Sequence, residues 1–156
     1  MKYRNLLAAA LLAALPALTP AQEADNIISW QWTALPAGSA ADRVYELHFT
    51  GSIAGGYIVY GSDFQVDIGP RPTRLKLDAP EAVTPRGSLQ SAGTHRRVDP
   101  VFKGEYSYFD GKARLTQQVA VKSGVTRVSG TIRGQTCREA DGTCALFNQR
   151  FEIDLP

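Results

Sequence analysis

Tyr45-Glu46-Leu47-His48-Phe49 decides how this chain folds, because large apolar side chains occupy every second position and polar ones lie between them. A period of two places one side of an extended segment in a core and the other in water, which a helix with its 3.6-residue repeat cannot do. The pattern recurs in both directions. Upstream, Ile28, Trp30 and Trp32 alternate with Ser29 and Gln31. Downstream, Phe64, Val66 and Ile68 repeat it, followed by Leu75 and Leu77, Tyr106 and Tyr108, and Leu115, Val119 and Val121. Val128 with Ile132, and then Phe151, Ile153 and Leu155, close the series. Between these runs stand GSIAGG, GSD, GPRP, FDGK and KSG, whose Gly, Pro, Asp and Ser residues favour turns. No comparable stretch carries a helical period. Eight or nine short strands with frequent turn signals predict an all-β chain, an immunoglobulin-like antiparallel β-sandwich, with a small barrel as the alternative.

One segment breaks the rhythm. From Ala79 to about Lys103 there are three prolines, two glycines and little alternation beyond Val83. A connection of this length inside a compact domain is uncommon and tends to be a lid or a binding loop, so a long cap-like loop is expected here. The alternative is a surface loop that holds a poorly patterned edge strand. The His95-Arg96-Arg97 run within it reads as a solvated face.

The N-terminus reads MKYRNLLAAALLAALPALTPAQ. Lys2 and Arg4 give a basic start, residues 6–15 an apolar run, and Thr19-Pro20-Ala21 a small-residue exit, the layout of a secretory signal peptide. The apolar run is shorter than the ~20 residues that cross a bilayer. Residues 1–21 are therefore expected to be a signal peptide cleaved near Ala21, with a retained anchor as the alternative, and 22–156 a single domain. Removing Lys2 and Arg4 from the 17 basic residues leaves 15, equal to the 15 acidic ones. A neutral mature chain lacks the basic stripe that phosphate binding needs, which argues against nucleic acid as a partner. After cleavage the longest nearly apolar stretch is IAGGYIVY, too short for a span, so the product is expected to be exported and not membrane-spanning.

Familiar catalytic patterns do not account for the rest. GSIAGG lacks the spacing of a dinucleotide or phosphate loop, and no G-x-S-x-G elbow occurs. His48 and His95 stand far from each other and from the cysteines, so no metal site is expected, and His48 falls on the polar phase of its strand. Cys137 and Cys144 are the only cysteines, in CREADGTC. The segments around them make READGT a hairpin loop with one sulfur at the mouth of each strand, where residues that face each other are close enough for a disulfide. In an oxidising compartment such a pair can be a structural staple or a reagent, and the residues alone leave both open. Arg138 beside Cys137 would favour a thiolate, while Glu139 and Asp141 would oppose it. A small-ligand site using Tyr57, Tyr60 and Phe102 has no signal beyond the aromatic side chains themselves.

From about Trp30 to Leu155 the chain resembles the N-terminal periplasmic domain of the thiol:disulfide interchange protein DsbD. GGYIVY at 55–60 is similar to that family's Gly-aromatic-x-x-Tyr strand, GPRPT at 69–73 to its Gly-Pro-x-Pro-Thr turn, and DPVFKGEYSYFDGKARLTQQV at 99–119 to its cap-loop region. GQTCREADGTC then falls where the family has its redox cysteines. The resemblance implies an immunoglobulin-like domain that takes electrons from a thioredoxin-like donor and passes them to oxidised envelope proteins in the periplasm, with no cofactor. It implies Cys137 and Cys144 as the redox pair, Cys144 as the cysteine that forms mixed disulfides, Phe102 as the cap-loop shield and Tyr60 as an active-site neighbour. The sequence departs from the family in Ala145-Leu146-Phe147, where proline is common soon after the second cysteine, in Ile58, where an aromatic residue can stand, and in a slightly longer cysteine spacing. A non-catalytic exported β-sandwich that binds a protein partner, with a structural disulfide, is the competing reading.

Overall fold

Alternation becomes two antiparallel sheets. The computed structural model describes residues 26–39, 41–65, 68–98 and 104–156, and the signal-peptide expectation for 1–21 lies outside them. One sheet has the order β1-β2-β8-β5, formed by β1 (Ile28–Pro36), β2 (Val44–Ile53), β8 (Lys112–Val121) and β5 (Val83–Ser91). The other runs β10-β9-β3-β7-β6, formed by β10 (Cys144–Asp154), β9 (Arg127–Arg138), β3 (Tyr57–Tyr60), β7 (Glu105–Asp110) and β6 (His95–Val98), with β4 (Arg74–Leu77) also paired to β9. This is an immunoglobulin-like β-sandwich. Leu47, Phe49, Leu115 and Val119 project inward from the first sheet and meet Val59, Phe109, Ile132, Phe147 and Phe151 from the second, all at most 1% exposed. Fully burying each such side chain stabilises the fold by about 1.5–3 kcal/mol.

Two glycines let the aromatic layer close. Phe147 and Phe151 on β10 stand opposite Gly134 and Gly130 on β9, and each ring covers the bare backbone of its partner. A Cβ on Gly134 would lie 2.7 Å from Phe147 Cζ and 2.8 Å from Thr73 Oγ1. Both distances are well inside the contact range of about 3.5–4.0 Å.

The expected cap-like loop from Ala79 to Lys103 is largely strand, which corrects the sequence reading. β5 and β6 both lie at sheet edges, where one neighbour and wide exposure remove the selection for alternation. β5 also carries an irregularity between Arg86 and Gln90, where Gly87 adopts φ 71° and the buried Gln117 amide donates to the Arg86 and Gly87 carbonyls at 3.2 and 3.3 Å. Residues 99–103 of this segment, which include Phe102, lie outside the described residues. A second correction concerns Phe64–Ile68. Phe64 is buried but not in a strand, Ile68 is 73% exposed, and Val66 lies outside the described residues.

Candidate functional site

The β9–β10 hairpin is in the register that joins its cysteines. Cys137 and Cys144 face each other across the ladder, their Cα atoms are 4.0 Å apart, and their sulfurs are bonded. The loop is one residue shorter than READGT, because Arg138 still belongs to β9. Its turn is held without the sulfurs: Arg138 N–H donates to Thr143 O at 2.8 Å, Gly142 N–H to Arg138 O at 2.9 Å, and Thr143 N–H to Asp141 Oδ1 at 3.0 Å. Gly142 takes the left-handed φ of 70° that the reversal requires. That backbone hydrogen bond, with the Thr143 hydroxyl and the Arg138 guanidinium, holds the Asp141 carboxyl below the usual carboxylate range.

The disulfide lies on the outer face of its sheet. Along β9, Val128, Gly130, Ile132, Gly134 and Thr136 point to the core, so Arg133, Gln135 and Cys137 point away from it. An open face would leave both sulfurs in water, but a second apolar cluster covers one of them. Ile58, Tyr60, Phe64 and Tyr106 pack with Cys137, which is 5% exposed, whereas Cys144 is exposed. Tyr60 is the hub, with edge-on contacts to Tyr106 and Phe64 at centroid distances of 5.2 and 6.2 Å. Its hydroxyl is 3.6 Å from Cys137 Sγ, a geometry in which it donates to the disulfide sulfur. The edge strand β6 lies along this wall: His95 stacks on Tyr108, and the Arg97 guanidinium sits 4.8 Å from the same ring.

The tyrosines of EYSYF therefore face away from the sandwich core, contrary to the simplest reading of their alternation; Ser107 and Phe109 point inward instead. Period two identifies two faces but not which of them is inside when both are covered. The charges near the sulfurs also differ from expectation. Arg138 is engaged by Asp141 at 3.1 Å and by the Tyr57 hydroxyl at 3.1 Å, and Glu139 pairs with Arg97 at 3.5 Å. His95-Arg96-Arg97 is exposed as anticipated, but Arg96 holds Asp63 and Glu105 at 2.8 Å each. Tyr57, considered with Tyr60 and Phe102 as a ligand site, instead packs under Arg138.

Sequence reasoning missed Gln135. Its Nε2 donates to Cys137 Sγ at 3.7 Å while its Oε1 accepts the Arg71 N–H at 2.8 Å. Its signal was available: two residues before Cys137 on one strand, it shares the outer face. Among the described residues no group of three or more His, Cys, Asp or Glu side chains is placed to hold a metal ion.

No family model matches the chain, and no curated protein matches it. Solved structures do. The N-terminal domain of DsbD from Neisseria meningitidis, in its reduced form, superposes with a TM-score of 0.54 at 17% identity, covering 84% of this chain and 87% of that one. This is the fold of a DsbD N-terminal domain. The N-terminal periplasmic domain of ScsB from Proteus mirabilis gives a TM-score of 0.52 at 10% identity, covering 82% of this chain and 45% of that one. In the DsbD-like frame described here, Cys137, Cys144 and Tyr60 come together, whereas Phe102 is outside the described residues. No helix among the described residues is long and apolar enough to cross a membrane.

Proposed function

We propose that the chain is an exported thiol–disulfide exchange domain, cleaved near Ala21 and acting in the periplasm. It relays electrons from a thioredoxin-like donor to oxidised envelope proteins through Cys137 and Cys144. The observation that carries this reading is the inequality of the two sulfurs: Cys144 is open to solvent and Cys137 is enclosed by aromatic rings. A staple needs no such difference. An exchange reagent uses it, because attack must be directed to one sulfur and the other must leave.

The sequence of bonds follows from access. A donor thiolate attacks Cys144 Sγ, the Cys137–Cys144 bond breaks, and Cys137 leaves with the electron pair. The donor's second thiolate then attacks its own sulfur in the mixed disulfide, so the donor is oxidised and this domain holds two thiols. In the second half-reaction the Cys144 thiolate attacks a client disulfide, and Cys137 resolves the mixed disulfide and regenerates the Cys137–Cys144 bond. Two electrons pass in each half, and protons exchange with water. No cofactor takes part. The Tyr60 hydroxyl and Gln135 amide, already directed at Cys137 Sγ, are placed to stabilise the negative charge it acquires on leaving. Phe102, in the segment between β6 and β7, is assigned the role of shielding the bond from stray thiols.

A Cys-x-x-Cys thioredoxin-like protein that lacks its resolving cysteine, and whose remaining sulfur is activated as a mixed disulfide with thionitrobenzoate, tests this: the Cys144 thiolate attacks that sulfur and thionitrobenzoate leaves. With Cys137→Ser, Cys144 should form a covalent complex with it that dithiothreitol reverses, and Cys144→Ser should form far less. Absence of a complex with either variant, together with a wild-type disulfide that the same thioredoxin-like protein leaves intact when it carries both cysteines as thiols, would return the pair to a structural role and leave the protein-binding sandwich as the reading.

A further inference from the structure

The outer face that carries the disulfide continues down the hairpin into a groove of about 450 Å³ lined by Arg71, Pro72, Arg74, Arg133, Leu146 and Asn148. The ladder fixes its distance from the sulfurs. Cys137 faces Cys144, Gln135 faces Leu146, and Arg133 faces Asn148, with Arg74 beside Arg133 on β4. At about 3.4 Å per residue, Leu146 begins roughly 7 Å from Cys144 and Arg133 stands roughly 13 Å from Cys137.

Charge is concentrated in this groove: Arg71, Arg74 and Arg133 line it together, whereas Arg43, Arg86 and Arg114, which also lack an ion-pair partner among the described residues, do not line it. Arg96, Arg97, Arg127, Arg138 and Arg150 are all tied to carboxylates. Among the described residues Arg71, Arg74 and Arg133 have no ion-pair partner. Arg74 spends its guanidinium on the Ser62 and Thr73 carbonyls, neutral acceptors that leave its charge without a carboxylate partner among the described residues. Leu146, on the floor between these cations and the sulfurs, is 54% exposed. Three cations with no carboxylate partner among the described residues, around an exposed leucine, form a surface complementary to acidic side chains beside an apolar residue. The groove is also joined to the redox pair, because Gln135 spans from the Arg71 N–H to Cys137 Sγ.

We infer that the Arg71–Arg74–Arg133 groove with Leu146 is the docking surface for an acidic segment of the protein that exchanges disulfides with Cys144. The inference rests on the exchange reading for its partner, but not for its test. Arg71 and Arg133 are the residues to change, since Arg74 also holds the backbone that follows β3.

The probes are synthetic peptides with one cysteine, a Gly-Ser spacer long enough to cover about 13 Å, and a run of aspartates, alongside matched asparagine and lysine versions. Reduction of the wild-type disulfide at low salt should be fastest with the aspartate peptide, by roughly two- to fivefold for each pair formed. The advantage should fall with added salt and disappear in Arg71→Gln/Arg133→Gln, while the asparagine peptide reacts equally with both proteins. The same aspartate peptide with serine for cysteine should shift the backbone amide resonances of Arg133, Gln135 and Leu146 in wild type only. Equal rates for all three peptides and no shifts at these amides would overturn the docking surface even if the disulfide exchanges freely. Shifts at the groove with a disulfide that no thiol reduces would keep the surface and refute the exchange reading instead.

Discussion

Reducing Cys137–Cys144 should weaken the domain without unfolding it, and the size of the loss can be worked from the hairpin. The bond joins residues seven apart, so it closes a loop of about eight residues. Loop-closure entropy for that length is about 8 cal/mol/K, or roughly 2.5 kcal/mol at 25 °C. A domain of this size has a total stability of about 5–15 kcal/mol, so the dithiol form stays folded. The local geometry supports an intact hairpin after reduction, because its turn hydrogen bonds and the pairing from Ala145–Thr136 down to Asp154–Arg127 do not involve sulfur. Urea unfolding of the oxidised and reduced forms should differ in midpoint by roughly 1–2.5 M, given slopes of about 1–3 kcal/mol/M, with little change in slope. Cys137→Ala/Cys144→Ala should follow the reduced curve. A reduced domain that is unfolded without denaturant would refute the reasoning, since the proposed relay must remain folded in both of its states.

Two further substitutions probe the frame around the pair. Gly134→Ala places a methyl against Phe147 and Thr73, both essentially buried, and should destabilise by about 1–3 kcal/mol in urea unfolding, as overpacked cores do; a neutral result would mean that the ring is free to move. Asp141 carries a depressed carboxyl pKa, so its stabilisation of the turn is fully present above the ordinary carboxylate value near ~4 and is lost as pH falls through the lower folded value. Amide exchange at Thr143, corrected for the intrinsic pH effect, should lose protection in that acid window in wild type and show no such step in Asp141→Asn; identical profiles would remove Asp141 from the account.

What could be read from the sequence depended on how many neighbours a strand has. β2 and β8 lie inside their sheet with one face in the core, and their alternation was plain. β6 is exposed at every residue and β5 at most of them, so neither carries a pattern, and Pro85 and Gly87 within β5 read as loop punctuation. Phe64 and Ile68 produced the opposite error. Phe64 is buried because it completes the ring cluster around Cys137, not because a strand alternates there. The cysteines were legible as a facing pair from the turn between them. Their aromatic surround was not, because Ile58, Tyr60, Phe64, Tyr106 and Cys137 come from separate parts of the chain and meet only once β9, β3 and β7 are placed side by side.

The difference between the two sulfurs then follows from strand order alone. Cys137 and Cys144 occupy one rung of one hairpin, so local sequence treats them nearly alike. β9, however, is an interior strand, and at Cys137 it has Ile58 of β3 on its other side, backed by the tyrosines of β3 and β7. β10 is the sheet edge, and beyond Cys144 no further strand is paired among the described residues. An edge position leaves one sulfur reachable from the side, while the interior position shields the other and surrounds it with donors. A register shift of a single residue on either strand would send the two sulfurs to opposite faces of the sheet and abolish both the bond and its asymmetry. The glycines at 130 and 134 help fix that register, because only they admit the rings of Phe151 and Phe147 on the opposing strand. Packing on the inner face of the hairpin thereby determines the chemistry available on its outer face.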